Sequence, residues 1–341
     1  MGRPLFSRLP DAATLRGRRF LITGAGGSIA RAILRQILPL QPAMVGLLDH
    51  HDSALYEVMR TCQAAGCAVT PVLGSVADDH TIADALTSVQ PDVIIHAAAY
   101  KIVPLVEHQV VAATAVNCCA AHNLFTLAGE AGVSQVVFIS SYEAYEPKNV
   151  FGLTKRVAEL SMAAAARRYP RTDYRAIRYS LVLFSTGSVA LLFEQLARQG
   201  APLTITDLDV ERYVCTLGEA ACATLSCLDT AQSGEILTLD MGHPLKMVEL
   251  ARRIIADTQS QSEIVVTGMR PGDKLHESPL GGELGLTATR VPGLYVTQTP
   301  GCPDETFATR YTELFNAIRG REPTRVNPIL QLMAISDRVQ S

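Results

Sequence analysis

The sequence predicts a doubly wound parallel α/β sheet followed by a smaller, less regular region. Three observations predict it. Short apolar runs alternate with longer stretches of helical spacing through the first half of the chain. The runs are apolar throughout, as in strands buried on both faces, instead of alternating apolar with polar. A glycine-rich segment joins the first run to the first helical stretch, at the place where such sheets bind ligands.

In chain order, Phe20 to Thr23 reads as the first strand and Ile29 to Leu38 as the helix after it, closed by Pro39. Val45 to Leu48 is a second strand ending at Asp49, and His51 to Ala65 a helix stopped by Gly66. Ala68 to Leu73, Val93 to His96 and Gln135 to Ser140 are further strands. Between and after them, Thr81 to Val89, Ala112 to Ala131 and Gly152 to Tyr169 read as helices, and Tyr174 to Leu183 as extended chain. Beyond about Ser185 the rhythm breaks into short, Gly- and Pro-punctuated elements. The expected division is residues 1–185 for the regular sheet and 186–341 for a mainly substrate-binding region, with segments free to interleave.

The chain has 341 residues, 48% of them apolar and 18% charged, with a net charge of −3. That is ample for a buried core. The acidic balance and the lack of Trp argue against a nucleic-acid binder, which needs a basic face and stacking aromatics. No run of 18–20 uninterrupted apolar residues predicts a membrane span, and the opening MGRPLFSRLP lacks the apolar stretch of a secretory signal. The eight cysteines form no C-x-x-C pair and are expected to be buried free thiols of a cytoplasmic protein. His50, His51 and His96 do not have the spacing of a metal site, and none is expected.

Gly24, Gly27 and Ala30 stand at G-x-x-G-x-x-A spacing, after a strand and at the start of a helix. Glycines let backbone approach a pyrophosphate, and the helix N-terminus adds N–H donors and a positive dipole end. With Asp49 ending the next strand to meet the adenosine ribose, this is the dinucleotide (Rossmann) arrangement. The charge of Asp49 and the lack of Arg or Lys from His50 to Met59 favour NAD over NADP. Expected cofactor contacts are Thr23, Gly24, Gly26, Gly27, Ser28, Ile29, Asp49, His50, the small-residue turn Ala97, Ala98 and Ala99, and Lys101.

The segments TGAGGSIA, HAAAYKIVPLVE, SSYEAYEPKNVFGLTKR, ERYVCT and TGMRPGDKLHE follow one another in an order that resembles a known family. The chain resembles the polysaccharide-biosynthesis type of nucleotide-sugar 4,6-dehydratase, within the extended short-chain dehydrogenase/reductases, from about Leu15 to Pro279. The resemblance implies NAD-dependent oxidation at C4 of a UDP-linked N-acetylhexosamine, loss of the C5 proton and of the C6 hydroxyl as water, and return of the hydride. It also implies a dimer built on the helices Ala112–Ala131 and Gly152–Tyr169, whose apolar faces exceed what one sheet face can cover.

By that resemblance Ser141 would bind the sugar C4 oxygen, and Lys155 the nicotinamide ribose and the C4 alkoxide, while Ser75, Val76 and Asn117 would also be cofactor contacts, Asn117 near the nicotinamide. Glu143 would take the C5 proton, and Tyr142 stands where an aspartic acid would protonate the leaving hydroxyl. Phe151 replaces the family's Tyr or Met, so Tyr142 or Tyr145 would accept the C4 proton. Lys101, Ser141, Tyr142, Ser188, Arg212 and Arg270 are the expected substrate contacts, the arginines suiting a diphosphate. Leu181 replaces an asparagine and Ser75 an aspartate of the family pattern. A 5,6-dehydratase, a UDP-sugar 4-epimerase and a non-catalytic nucleotide-sugar-binding protein remain alternatives.

Overall fold

The computed structural model describes residues 5–277, 286–297 and 304–335; Cys302 and Pro279 lie outside them. Six strands follow the expected rhythm: β1 (Arg19–Thr23), β2 (Met44–Asp49), β3 (Val69–Leu73), β4 (Val93–His96), β5 (Gln135–Ile139) and β6 (Asp173–Arg178). Three more come from beyond residue 185: β7 (Ile236–Leu239), β8 (Thr287–Ala288) and β9 (Leu294–Thr297). They form one nine-stranded sheet in the order β8-β9-β7-β6-β5-β4-β1-β2-β3. β1 through β7 pair parallel, and β9 runs antiparallel to β7. The sheet therefore crosses the sequence position where the second region was expected to begin.

The longer helices are α1 (Ser28–Ile37), α2 (Asp52–Ala64), α3 (Asp79–Val89), α4 (Val110–Glu130), α5 (Val150–Arg168), α6 (Val189–Arg198), α7 (Leu217–Thr230), α8 (Met247–Asp257), α9 (Asp304–Arg319) and α10 (Pro323–Ile335). Alternation sets the two layers, because successive strand residues point to opposite faces. Phe20, Ile22 and Val45 pack with Ile33, Leu34 and Leu225 of α1 and α7. Leu21, Ile94 and Val136 pack on the other side with Ile82, Leu124 and Met162 of α3, α4 and α5. The expected extended stretch after Tyr174 breaks at Arg178; Leu181–Val182 leaves the sheet to pair with Val214–Cys215. A separate core under α6 and α8 joins Phe193, Leu203, Val248 and Ile254.

One expectation meets a different arrangement. The helix α4 is long and apolar enough to cross a membrane by length and composition, although no such run was expected, and half of that stretch is buried inside the protein. Its polar interruptions, such as Asn117 and His122, are tolerated because the chain itself surrounds them. On the helices α4 and α5, where the dimer was expected, two later helices of the same chain also pack. Phe307, Tyr311, Leu314, Val326, Leu330 and Met333 of α9 and α10 pack on Cys119, Phe151, Leu153, Val157 and Leu160. The Tyr311 hydroxyl donates to the Cys119 carbonyl at 3.2 Å, and its ring stacks on His122 with centroids 3.8 Å apart.

Candidate active site

Most of the candidate cofactor and catalytic residues follow the carboxyl ends of β1 to β5. The sheet order reverses between β1 and β4, which opens a crevice at that edge.

The glycine loop is built for close approach. Gly24 has φ +64°, and a Cβ there would stand 2.8 Å from the Ala98 backbone. A Cβ on Gly26 would meet Ala54 at 2.6 Å. Gly27 caps α1 without a side-chain hydrogen bond, which leaves first-turn N–H groups to an anion. Asp49 is buried; one carboxylate oxygen accepts from Gly26 N at 2.8 Å and the other from His51 N at 2.9 Å. A carboxylate has further lone pairs on both oxygens, so these bonds fix it beside the loop without exhausting it. The cradle fits a dinucleotide. His50 is exposed beside Asp49, and Ser28 exchanges a 2.7 Å hydrogen bond with Thr186. Ile29 lies in the first turn of α1. Ser75 is exposed and accepts from Ala77 N at 3.2 Å, next to buried Val76.

Ala97, Ala98 and Ala99 turn closely under the loop, and Ala98 N donates to Thr23 Oγ1 at 3.3 Å. Thr23 Oγ1 also lies 2.7 Å from His96 Nδ1. Burial, then the Lys155 charge, press the His96 imidazole down to about 3, so it stays neutral. Lys101 Nζ donates to Ser185 Oγ at 3.0 Å.

Asn117 corrects an expectation. Its amide bonds both ways with the Tyr100 backbone, at 2.7 and 2.8 Å, and donates to Thr154 Oγ1 at 3.3 Å. In the π turn Ala115–Cys119 it therefore holds the turn before Lys101 instead of presenting its amide to a cofactor.

After β5, Ser141 caps the short turn Tyr142–Ala144 by accepting from Glu143 N at 3.2 Å. That turn rests on the start of α5 because Gly152 has no side chain: a Cβ there would stand 2.3 Å from the Glu143 carbonyl oxygen. Lys155, one helical turn on, is buried; its Nζ donates to the Ile139 carbonyl at 2.8 Å and lies 4.6 Å from the Phe138 ring centroid. Burial lowers its pKa to about 7, against the opposing pull of Glu159. Phe151 turns into the apolar cluster under α9 and α10.

Tyr142 is the second correction. Its ring is buried, and its hydroxyl donates to the Leu239 carbonyl at 2.8 Å. The phenol proton is committed to the core edge, so the expected acid for the leaving hydroxyl is not presented there. Tyr145 is half-buried, with its backbone carbonyl turned to Lys274 at 3.0 Å.

The residues 270–277 close over this turn. Glu143, 15% exposed, accepts from Asn149 Nδ2 at 3.1 Å and pairs with Lys274 Nζ at 3.3 Å. Asn149 caps α5 through its oxygen, to Gly152 N at 2.8 Å, and also donates to the Gly272 carbonyl at 3.2 Å. Glu277 is buried, accepts both the Ser180 hydroxyl and Tyr213 N, and lies 3.8 Å from Arg212 Nε. Burial raises the Glu277 pKa against the pull of Ser180 and Arg212. Arg212 thus joins the cluster, whereas Arg270 is exposed and bonds Asp273 at 3.2 Å. Ser188 serves as the N-cap of α6. Among the described residues, no group of three His, Cys, Asp or Glu could hold a metal ion.

Asn149, Lys274 and Glu277 all lie inside recognisable motifs, yet they were not singled out from sequence, unlike Ser141, Tyr142, Glu143, Lys155 and Arg270 of the same motifs. Glu159 and Arg178 were missed as well. They form a fully buried pair at 2.7 Å, with Ser140 Oγ donating to Glu159 at 2.6 Å, and tie α5 to the ends of β5 and β6. Burial works against the Glu159 carboxylate, but Arg178 and Arg156 bring its pKa below the ordinary value.

The model of the family described as "Polysaccharide biosynthesis protein" matches residues 20–299. The chain belongs to the polysaccharide biosynthesis protein family. Over 272 residues it is 36% identical to the capsular polysaccharide biosynthesis protein CapD of Staphylococcus aureus, covering 78% of this chain and 45% of CapD. The chain thus spans about half the length of CapD and of the probable polysaccharide biosynthesis protein EpsC of Bacillus subtilis. It is 28% identical over 265 residues to a UDP-N-acetylglucosamine 4,6-dehydratase (inverting) of Campylobacter jejuni, covering 76% of this chain and 77% of that protein. Among solved structures, Pen from Bacillus thuringiensis superposes with a TM-score of 0.78 at 25% identity, covering 84% of this chain and 91% of Pen. The family fold is the expected Rossmann sheet of the extended short-chain dehydrogenase/reductases.

Proposed function

We propose that the chain is an enzyme, a nicotinamide-dependent dehydratase of a UDP-linked N-acetylhexosamine. One observation carries the reading: just after Ser141, a half-buried carboxylate, Glu143, is held by Asn149 and Lys274 at the carboxyl end of the sheet. A carboxylate so fixed can take a proton from carbon once a neighbouring carbonyl has acidified it. The similarity to a dehydratase of UDP-N-acetylglucosamine over three quarters of the chain supports the same class.

The loop Gly24–Gly27 would hold the pyrophosphate of a dinucleotide and Asp49 its adenosine ribose. When bound, that group supplies hydride acceptance and return at the sugar. Asp49 would repel a 2′-phosphate, which favours NAD over NADP. Ser141 would donate to the C4 oxygen. Lys155, poised near neutrality by burial, would hold or release a proton close by. Glu143 would then take the C5 proton, and the C6 hydroxyl would leave as water. Arg212, tethered by Glu277 beside the same turn, suits a diphosphate oxygen.

The test is incubation with UDP-N-acetylglucosamine and NAD in deuterated water, read by mass spectrometry. The reading expects a product lighter by one water with deuterium at C5. A product of unchanged mass and no deuterium at C5 would make the enzyme a 4-epimerase. Binding without turnover would make it a nucleotide-sugar-binding protein.

A further inference from the structure

If the dehydratase reading holds, the leaving C6 oxygen needs a proton, and Tyr142 has committed its hydroxyl to the Leu239 carbonyl. The segment 270–277 brings another donor to the same place. Lys274 is 9% exposed, with Nζ 3.3 Å from the Glu143 carboxylate and 3.0 Å from the Tyr145 carbonyl. An ammonium carries three hydrogens, and these contacts use two of them.

The placement is built. Asn149 bonds both Glu143 and the Gly272 carbonyl, so one side chain sets the carboxylate and the turn that delivers Lys274. Gly272 adopts φ +85° in that turn, and a Cβ there would already stand 3.0 Å from Asn149 Cβ. The other end of the segment is anchored by Glu277 on Ser180 and Tyr213 N.

We propose that Lys274 is the catalytic acid of the elimination, working as a pair with Glu143. Glu143 takes the C5 proton, and the C5–H electron pair, held first by the neighbouring C4 carbonyl as an enolate, becomes the C5–C6 double bond. The C6–O bond breaks; the oxygen keeps that electron pair, takes a proton from the Lys274 ammonium and leaves as water. Glu143 is then a neutral acid and Lys274 a neutral amine. Proton transfer from one to the other across their contact restores both, so the protein ends as it began and the sugar has lost one water.

The test separates the two roles. Wild type, Lys274→Met, Lys274→Arg and Glu143→Gln, each with NAD bound, are given UDP-N-acetylglucosamine in deuterated water. Deuterium at C5 and loss of water are followed together, with calorimetric affinity for UDP-N-acetylglucosamine reporting an intact site. Lys274→Met is expected to keep affinity and C5 deuteration while water loss falls about 10²–10⁴-fold, the range for a lost general acid. Glu143→Gln is expected to lose both. Lys274→Arg retains the positive charge beside Glu143 but holds its protons too tightly to donate, and is expected to stay as slow as Lys274→Met. Recovery of water loss in Lys274→Arg, or parallel loss of deuteration and water release in Lys274→Met with affinity intact, reduces Lys274 to a positioning charge and overturns the proposal. Variants that no longer bind the sugar nucleotide overturn it too, because the acid role leaves binding alone. Wild type that deuterates C5 but releases no water sinks the dehydratase reading itself, a result distinct from any of these.

Discussion

Lys155 is a buried amine bonded to a carbonyl, with burial outweighing the pull of Glu159, and its effect on stability has a definite sign. Its pKa falls from 10.5 to about 7 on folding. Below pH 7 folded and unfolded chains both carry the proton, and burial of the charge opposes folding. Between pH 7 and 10.5 only the unfolded chain carries it, so stability rises with pH across that window and levels off above it. Compared with Lys155→Met, the wild-type chain is expected to gain up to about 5 kcal/mol over this window, at about 1.4 kcal/mol per pKa unit. Urea unfolding of both proteins at several pH values checks it; parallel pH curves would remove the claim. Glu159 offers the opposite case, a buried charge fully paired with Arg178. Glu159→Gln leaves that guanidinium buried without its counter-charge and is expected to cost about 3–5 kcal/mol of unfolding free energy. An effect below about 1 kcal/mol, the size typical of an exposed pair, would mean that the network is solvated. The residue types of this network were legible in the sequence, but not their pairing. Arg178 was visible only as part of a motif, because nothing local in a chain reports which charge lies across from which.

At the scale of elements, the helices α9 and α10 decide more than their position near the chain's end suggests. They lie beyond residue 299, where the family match stops, and they seal the apolar faces of α4 and α5. Leu314 and Leu330 are fully buried in that contact. A charge at Leu314 must be expelled, so Leu314→Asp is expected to loosen the pair of helices and expose Phe151, Val157 and Leu160. Exposed apolar surface of that kind promotes association. Sedimentation velocity should then show concentration-dependent association beyond that of the wild-type chain; identical profiles would show that the seal is not what keeps the face apart. The apolar faces themselves were readable from periodicity, since Ala-rich helical spacing is a local pattern. What covers them was not, because two amphipathic helices from this chain and two from a second copy satisfy the same pattern equally well.

For the whole molecule, the sheet places the Gly24–Gly27 loop, Asp49, Ser141 and Lys155 along one edge, and the chain from 186 onward returns to that sheet through β7. The placement of Asp49, bonded to Gly26 N, gives a prediction for cofactor choice. Asp49→Ala or Asp49→Asn is expected to shift the affinity ratio towards NADP by about tenfold or more, one charge being worth about 1–2 kcal/mol near a phosphate. Fluorescence titration with both reduced cofactors measures this directly, and an unchanged ratio would assign the choice to other residues.

The sequence by itself determined the alternation of strand and helix, the two-faced burial of the strands, the turn that needs glycine and the family. These follow from short-range rules, side-chain period and backbone freedom, which operate within a few neighbours. Only the tertiary structure decided that Tyr142 turns to Leu239, 97 residues away, that Lys274 meets Glu143, and that α9 and α10 occupy the face suited to a second copy. Such contacts depend on how loops fold back across the sheet edge, and a carboxylate's chemistry depends on the charge that arrives beside it.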